Sequence, residues 1–322
     1  MADLLRLTKH GLYCPAGDFY IDPWKEVDRA VITHGHSDHA RAGHQSYLCS
    51  EPSVAILRAR LGKRISVEGA PFGRSQNMNG VKVSFHPAGH VLGSAQIRLE
   101  YQGEIWVASG DYKLDDDGIS GAFEPVQCHT FITESTFGLP IYRWPAQQRV
   151  ANEINEWWRR NQMDGIASVI YTYSLGKAQR IQYAVDSSIG PIHVYHTVAE
   201  MNAAYAAGGV ELPGSADRDT GEPGLIIAPP AATDSGWLRQ FGEYRTAFVS
   251  GWMRSRKRSR GDYNQGFVIS DHVDWPGMLS AIEQSEADRV LVTHGFSAQT
   301  VRFLREEGWD ADELECRFGE ED

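Results

Sequence analysis

Short apolar runs separated by turn residues dominate the first 135 residues of the chain. Strands are predicted at 19–21, 30–32 and 105–108, where three or four apolar residues follow one another, and at 81–85 and 95–99, where apolar and polar residues alternate. Helices are predicted over 52–60 and from His39 onward. Acidic residues directly follow three strand-like runs, at Asp22, Asp111 and Glu134. This region is therefore predicted to be a strand-rich unit with carboxylates at the strand ends.

The pattern changes in the middle of the chain to an alternation of helices and strands. Helices are predicted over 147–160 and 175–181, and strands over 168–171, 225–228 and 247–250. This alternation is typical of a small parallel α/β unit. The segment 208–224 is rich in Gly, Pro, Asp and Ser, and it is predicted to be a surface loop.

Two strands are predicted near the end of the chain, over 266–270 and 288–294, before an acidic segment, 306–322, that is expected to be solvated. Residues 28–37 align without gaps on 288–297, with Asp, Arg, Thr, His, Gly and Ser at matching positions. The match predicts that His294 occupies a place related to that of His34, in two similar halves of one sandwich.

The composition narrows the classes of protein to consider. The chain has 322 residues, of which 42% are hydrophobic and 23% charged, as in ordinary globular proteins. A net charge of −11 argues against non-specific coating of nucleic acid, but it permits a nuclease with a local basic groove. The cysteines show no C-x-x-C spacing, which predicts reduced thiols at Cys14, Cys49, Cys128 and Cys316. Without a signal-like or membrane-spanning segment, a cytoplasmic location is expected.

The strongest chemical signal is the sequence HGHSDH at 34–39, one residue after the strand predicted at 30–32. It carries three imidazoles and one carboxylate within six residues. These groups are natural ligands of zinc, manganese or iron. Without a metal, each would need a polar partner if it were buried. The segment therefore predicts a metal site.

Further motifs connect this segment to a known family. Together with HPAGH at 86–90 and SGDY at 109–112, it resembles the metallo-β-lactamase fold. TESTFG at 133–138, LGKAQ at 175–179, SDH at 270–272 and VTHG at 292–295 resemble the motifs of the β-CASP nucleases. That family includes the polyadenylation-site endonuclease, bacterial 5′ ribonucleases and the Artemis-type DNA nucleases. The opening segment LYCPAGDFYIDP looks most like the bacterial ligase-associated DNA exonucleases.

The resemblance implies an α/β fold, namely a four-layer αββα metallo-β-lactamase sandwich with an inserted, smaller α/β β-CASP cap domain. The core is expected at residues 1–140 and 265–322, and the cap at 141–264.

The same resemblance implies two divalent metal ions, with zinc as the bound metal and manganese as a possible activating metal. One metal would be held by His34, His36 and His90, and the second by Asp38, His39 and His294, with Asp111 bridging both. Two dications about 3.5–4 Å apart share a hydroxide and clamp a phosphate. Each metal would also keep a place for water or substrate.

Four residues near the expected metals receive roles of their own. Asp22 is interpreted as a carboxylate that orients a ligand imidazole, or else as a turn cap before Pro23. The resemblance makes His272 the general acid for the leaving 3′-oxygen, with Glu134 fixing and charging its ring. The family usually has a small residue before this histidine, whereas Asp271 stands here. Asp271 either modifies the acid–base properties of His272 or faces solvent.

Candidate contacts to nucleic acid come from a basic run and from a predicted helix start. The run contains Arg254, Arg256, Lys257, Arg258 and Arg260. Such a run is usually a solvated face, but here it precedes the strand that leads to His272 and could meet phosphates. Trp252 could stack on a base or belong to a core. Ser174 and Lys177 lie where backbone N–H groups suit an anion, or form an ordinary helix cap.

The leading functional hypothesis is a metal-dependent nuclease, most closely a DNA exonuclease that acts 5′ to 3′ on single-stranded ends during repair. DNA is the expected partner, with a DNA ligase or helicase as a candidate protein partner. The alternative is an RNA-processing endonuclease or 5′ exoribonuclease, because a histidine at the position of His294 is common among RNA-processing members. Hydrolysis of thioesters or lactams is disfavoured by the cap motifs. The full ligand set disfavours a non-catalytic nucleic-acid-binding subunit.

Overall fold

The computed structural model describes residues 3–214, 222–255 and 263–315, and the chain divides into two compact units. One unit comprises Met1–Arg143 with His272–Asp322, and the other comprises Trp144–Asp271. Both contain strands and helices, which confirms the predicted mixed α/β class.

The strands are β1 (Arg6–Thr8), β2 (Gly11–Cys14), β3 (Phe19–Ile21), β4 (Arg29–Val31), β5 (Ser46–Ser50), β6 (Val67–Ala70), β7 (Gln76–Met78), β8 (Val81–Pro87), β9 (Ala95–Tyr101), β10 (Glu104–Ala108), β11 (Thr130–Ser135), β12 (Ala167–Tyr171), β13 (Ile192–Val194), β14 (Leu225–Ala228), β15 (Tyr244–Val249), β16 (Gln265–Phe267), β17 (Arg289–Gly295) and β18 (Asp310–Glu313). The α-helices are α1 (Ser53–Leu61), α2 (Gln147–Met163), α3 (Lys177–Ala184), α4 (His196–Ala207), α5 (Trp275–Gln284) and α6 (Ser297–Glu306). Short 3-10 helices cover Pro230–Ser235, Trp237–Phe241 and Gly251–Arg254.

The first unit contains two sheets. The six strands β1 to β6 pair in sequence order, antiparallel as far as β3 and parallel from there. The second sheet has the order β18-β17-β11-β10-β9-β8-β7, and its strands β10, β11, β17 and β18 are parallel neighbours. Because the carboxyl ends of parallel strands meet at one edge, each sheet gathers the residues that follow these strands.

Buried apolar side chains join the elements of the first unit. One cluster takes members from both sheets, including Phe19 and Val31 from the first and Phe85 and Ile97 from the second. A second cluster packs α5 and α6 on the second sheet, and a third packs α1 on the first sheet. Removing such side chains from water is the main stabilising contribution, about 25 cal/mol per Å² of apolar surface.

The second unit is built on a parallel five-stranded sheet of order β13-β14-β12-β15-β16. Its strands and helices alternate along the chain, in agreement with the parallel α/β pattern predicted for this region. The central strands β12 and β14 are buried over their whole length, because both faces of a parallel sheet are covered.

Two local predictions were wrong. No helix begins at His39, where the chain instead turns, with the N–H of Ala40 donating to the carbonyl of His36 at 2.8 Å. The acidic end is not wholly solvated either, because Asp310–Glu313 forms β18 and pairs with β17. At the acidic end, pairing with a distant strand replaced the local preference. No helix among the described residues is both long and apolar enough to cross a membrane.

The repeated segments place one strand in each sheet of the first unit. β4 lies between β3 and β5, and β17 lies between β11 and β18, with parallel pairing on both sides in each case. The matching sequence therefore corresponds to a similar local structure, except that β17 includes its Thr-His-Gly whereas β4 ends two residues before Thr33.

Candidate metal centre

The strand ends of the first unit bring the predicted ligands into contact. β3 and β4 are parallel, so Asp22 and the segment 34–39 share one edge. β10, β11 and β17 are parallel neighbours, so Asp111, Glu134 and His294 share another. His90 lies in the turn between β8 and β9, which Gly89 makes possible with a φ of +75°.

The first group consists of His34, His36, His90 and Asp111, whose donor atoms all lie within 4.8 Å of one another. Oδ2 of Asp111 lies 3.5 Å from Nε2 of His34 and 3.7 Å from Nε2 of His90. His36 is partly exposed and the other three residues are buried. This is the set that the sequence predicts for one metal.

The second group consists of His39, Asp111 and His294, again with donor atoms within 4.8 Å. Nε2 of His294 lies 3.0 Å from Oδ1 of Asp111. Nε2 of His39 lies 3.5 Å from carboxylate oxygens of both Asp38 and Asp111. Asp111 therefore faces both groups, as a bridging carboxylate must.

The contacts of these donors fit a bound cation. Nδ1 of His36 faces Nε2 of His90 at 2.9 Å, and a single proton at most can lie between two such nitrogens. Nε2 of His34 is buried and makes no hydrogen bond to any described residue. A buried polar atom of this kind calls for an ion or a water. Imidazoles with carboxylates suit zinc, manganese or iron.

Burial and neighbouring charges shift the pKa values of three groups at the centre. Burial lowers the pKa of His39, but the charges of Asp38 and Asp111 outweigh it and raise that pKa to about 10. Burial raises the pKa of Asp111, yet the imidazoles of His39 and His272 hold it well below its usual range. Burial keeps the pKa of His34 well below its usual value.

Asp22 is in contact with a predicted ligand. It is 2% exposed, and its Oδ2 lies 2.7 Å from Nδ1 of His39. Its Oδ1 accepts the N–H of Thr33 at 2.8 Å, and its Oδ2 accepts the Thr33 hydroxyl at 2.5 Å. The φ of Asp22 is +41°, a conformation that Asp and Asn adopt more readily than most residues. The geometry agrees with a carboxylate that orients an imidazole.

A carboxylate–imidazole pair lies beside the two groups. Nδ1 of His272 lies 2.9 and 3.0 Å from the two oxygens of Glu134, and 3.9 Å from Oδ2 of Asp111. Oε1 of Glu134 also accepts the N–H of Tyr112 at 3.0 Å. Both members of the pair are buried. The ring of His272 is therefore oriented by a fixed carboxylate.

In the second unit, Asp271 does not face solvent. It is fully buried, and its two oxygens contact Nζ of Lys177 at 3.0 Å and Nη1 of Arg180 at 3.1 Å. Lys177, a predicted phosphate contact, is itself 3% exposed, and its charge faces Asp271. The hydroxyl of Ser174 lies 2.7 Å from that of Thr197.

The predicted basic run is described only at its start. Trp252 is half-buried and Arg254 is exposed, both in the 3-10 helix Gly251–Arg254. The remaining predicted contacts, Arg256, Lys257, Arg258 and Arg260, lie outside the described residues.

Sequence reasoning missed two arginines, one in each unit, that contact segments singled out above. Arg180 lies three residues after Lys177 in α3, on the same helix face, a spacing that could have identified it. Arg60 donates from α1 to the carbonyl of Gly35, inside the HGHSDH turn. Nothing in the sequence links Arg60 to that turn, because 25 residues separate the two.

The chain resembles several known proteins, although no family model matches it. It is 32% identical over 308 residues to a probable DNA ligase from Opitutus terrae, a match that covers 94% of this chain and 30% of the ligase. It is 25% identical over 191 residues to an RNase J-like protein from Methanocaldococcus jannaschii, covering 51% of this chain and 45% of that protein. Both names denote nucleic-acid enzymes. The chain thus spans less than half the length of either relative.

A solved structure supports the fold. A protein of unknown function from Enterococcus faecalis V583 superimposes with a TM-score of 0.60 at 11% identity. The match covers 91% of this chain and 80% of that protein. At this identity the likeness concerns the fold alone.

Proposed function

We propose that the chain is a two-metal phosphodiesterase of the metallo-β-lactamase and β-CASP class that trims the ends of DNA. The observation that carries the proposal is the position of Asp111. One buried carboxylate faces two groups of imidazoles and lies 3.9 Å from a histidine that is paired with a glutamate. A hydrolase of this type needs such a centre and a nearby proton donor.

In this proposal the ligand roles follow the two groups. His34, His36 and His90 hold one divalent ion, and Asp38, His39 and His294 hold the other, with Asp111 shared. When bound, the two ions, zinc or manganese, supply an activated hydroxide and neutralise charge on the phosphate. Asp22 keeps the ring of His39 in place through its contact with Nδ1.

His272 is proposed as the proton donor. Its Nδ1 contacts the Glu134 carboxylate, so Nε2 is the nitrogen that delivers the proton to the leaving 3′-oxygen. Glu134 stabilises the protonated ring and fixes its orientation, and the N–H of Tyr112 fixes Glu134 in turn. General-acid catalysis of this kind contributes about 10²–10⁴-fold to the rate.

DNA is the proposed substrate because the similarity to the protein named a DNA ligase extends over 94% of this chain, whereas the RNase J-like match covers 51%. A ligase needs ends that have been trimmed to a ligatable form. We therefore propose 5′ to 3′ removal of single-stranded DNA during repair in the cytoplasm, with a DNA ligase as partner and a helicase as the alternative partner.

The proposed domain arrangement is a four-layer core at 1–140 and 265–322 and a cap at 141–264. The two sheets of the first unit share a buried cluster, and helices pack on each sheet, which supports a sandwich core. The separate parallel sheet of Trp144–Asp271 supports an inserted domain.

The decisive experiment uses single-stranded DNA and RNA of one sequence, each labelled at the 5′ or the 3′ end, with zinc or manganese added to metal-free protein. We expect single nucleotides to be released from the 5′ end of DNA. The Asp38→Ala, His39→Ala double variant should lose cleavage. Robust cleavage by that variant without metal would overturn the mechanism.

The second candidate is an RNA endonuclease or 5′ exoribonuclease, favoured by the RNase J-like relative. The same experiment separates the candidates, because faster cleavage of the RNA strand would replace the DNA assignment. Binding of either strand by metal-loaded protein without cleavage would indicate a non-catalytic subunit.

A further inference from the structure

Each of the two repeated histidines is preceded by a threonine whose hydroxyl contacts its ring. The hydroxyl of Thr33 lies 3.1 Å from Nδ1 of His34, and the hydroxyl of Thr293 lies 2.8 Å from Nδ1 of His294. Both threonines are buried, at 1% and 5% exposure. Adjacent side chains of a regular strand point to opposite faces, so a contact between neighbours requires an irregular backbone. Thr33 and His34 lie beyond the end of β4, and the pairing of β17 with β11 shifts register between Val292 and Gly295.

For Thr33, counting protons fixes the direction of this hydrogen bond. A hydroxyl has a single proton to donate. Thr33 donates it to Oδ2 of Asp22 at 2.5 Å, and a carboxylate can only accept. Towards His34, the Thr33 oxygen must therefore accept, which requires a proton on Nδ1. In the neutral ring, Nε2 of His34 then carries the lone pair.

The single hydroxyl proton of Thr293 likewise requires a proton on Nδ1 of its histidine, although the hydroxyl donates to a different kind of acceptor. Its hydroxyl lies 3.3 Å from the carbonyl oxygen of Thr133, which also can only accept. Both contacts are satisfied together only if Thr293 donates to that carbonyl and accepts from Nδ1–H of His294. In the neutral ring, Nε2 of His294 then carries the lone pair.

The two lone pairs converge on one carboxylate. Nε2 of His34 lies 3.5 Å from Oδ2 of Asp111, and Nε2 of His294 lies 3.0 Å from Oδ1. In the neutral ring, a lone pair that faces a carboxylate at these distances is repelled by it, and a cation bound by both groups removes that repulsion. The repeated Thr-His pairs, one after β4 and one at the end of β17, thus aim one imidazole at each oxygen of Asp111.

We infer that Thr33 and Thr293 are positioning residues for the metal centre, each fixing the tautomer and orientation of one ligand histidine. Thr33 acts on the ion held by His34, His36 and His90, and Thr293 on the ion held by Asp38, His39 and His294. The inference rests on the proposed two-metal function and assigns one positioning threonine to each ion.

The test compares Thr33→Val and Thr293→Val, which keep the side-chain shape but remove the hydroxyl, with Thr33→Ser and Thr293→Ser, which keep the hydroxyl. Metal content and zinc affinity are measured by elemental analysis and chelator competition. Each valine variant is expected to bind one of the two ions about 10–100-fold more weakly, and the serine variants to bind like the wild type. Thr300→Val is the control, because Thr300 is buried and donates to the carbonyl of Gly138.

The outcomes separate this inference from the proposed function. A wild-type protein that binds no metal would overturn the proposed function. Two bound ions in the wild type with unchanged affinity in both valine variants would overturn only the inference, as would serine variants as weak as the valine ones. If a valine variant does not fold, ¹⁵N NMR of the wild-type histidines decides instead. A proton on Nδ1 of His34 and His294 supports the inference, and one on Nε2 refutes it.

Discussion

Oδ2 of Asp22 lies 2.7 Å from Nδ1 of His39, and 17 residues separate the two in the chain. The contact forms because β3 and β4 are parallel neighbours and Asp22 follows directly after β3. Both groups are buried, so the hydrogen bond is protected from competition by water.

Replacement of Asp22 by Asn tests the importance of this contact. The amide has only one acceptor oxygen, so it cannot serve both the N–H of Thr33 and the ring of His39. Asn tolerates the positive φ of this position, so the backbone should persist. We expect the affinity for one metal to fall about 10–100-fold in a chelator titration. Asp18→Asn is the matched control, because Asp18 also has a positive φ but is exposed.

The loss of hydrolysis rate on removing the proposed proton donor should depend on the leaving group of the substrate. His272→Ala should slow hydrolysis of DNA by about 10²–10⁴-fold with unchanged metal content. Glu134→Gln should act in the same direction, because the amide cannot stabilise a charged ring. A bis(p-nitrophenyl) phosphate substrate needs no protonation of its leaving group, so its turnover should fall far less. Equal losses on both substrates would assign His272 another role.

The buried carboxylate of Asp271 is expected to stabilise the second unit. Asp271→Ala removes the group that both Lys177 and Arg180 contact, at positions that are at most 3% exposed. Breaking a buried ion pair on one side costs about 3–5 kcal/mol of unfolding free energy, measurable by urea denaturation. Glu153→Ala breaks the exposed Arg149–Glu153 pair in α2 and should cost less than about 1 kcal/mol. If Asp271→Ala and Glu153→Ala lowered the free energy of unfolding by similar amounts, the Asp271 contacts would be shown to be weak.

Gly110 is expected to accept no side chain. Its φ is +57°, and an added Cβ would lie 2.6 Å from Cβ of Thr33. Gly110→Ala should therefore displace either Thr33 or the neighbouring Asp111, with loss of metal affinity and a lower melting temperature. Gly103→Ala isolates the backbone contribution, because Gly103 also has a positive φ but open space around it. Gly103→Ala should lower the free energy of unfolding by about 1–2 kcal/mol and leave metal affinity unchanged.

The basic run of the sequence predicts salt-dependent binding of DNA. Replacing Arg256, Lys257 and Arg258 by Gln removes three positive charges from the chain. If each contacts a phosphate, the slope of log K against log salt for single-stranded DNA should become shallower by about two. Metal content should not change. An unaltered slope would mean that the run does not contact the substrate.

The sequence alone was enough for much of the fold and for the candidate ligands. Apolar runs predicted β3 and β14 to the residue, because short buried strands bounded by turn residues leave a local signal. The spacing HGHSDH marked a metal site for a similar reason, since four potential ligands within six residues are costly to bury unless a metal satisfies them.

Tertiary structure alone decided which of these residues meet. It placed Asp111 between two groups of histidines, set Thr33 and Thr293 against the ligand rings, and buried Asp271 between Lys177 and Arg180. It also replaced the helix expected at His39 with a turn and paired Asp310–Glu313 with β17. Local patterns report which side chains prefer burial or a given backbone conformation. Contacts between residues far apart in the chain depend on strand pairing and register, which only the folded chain determines.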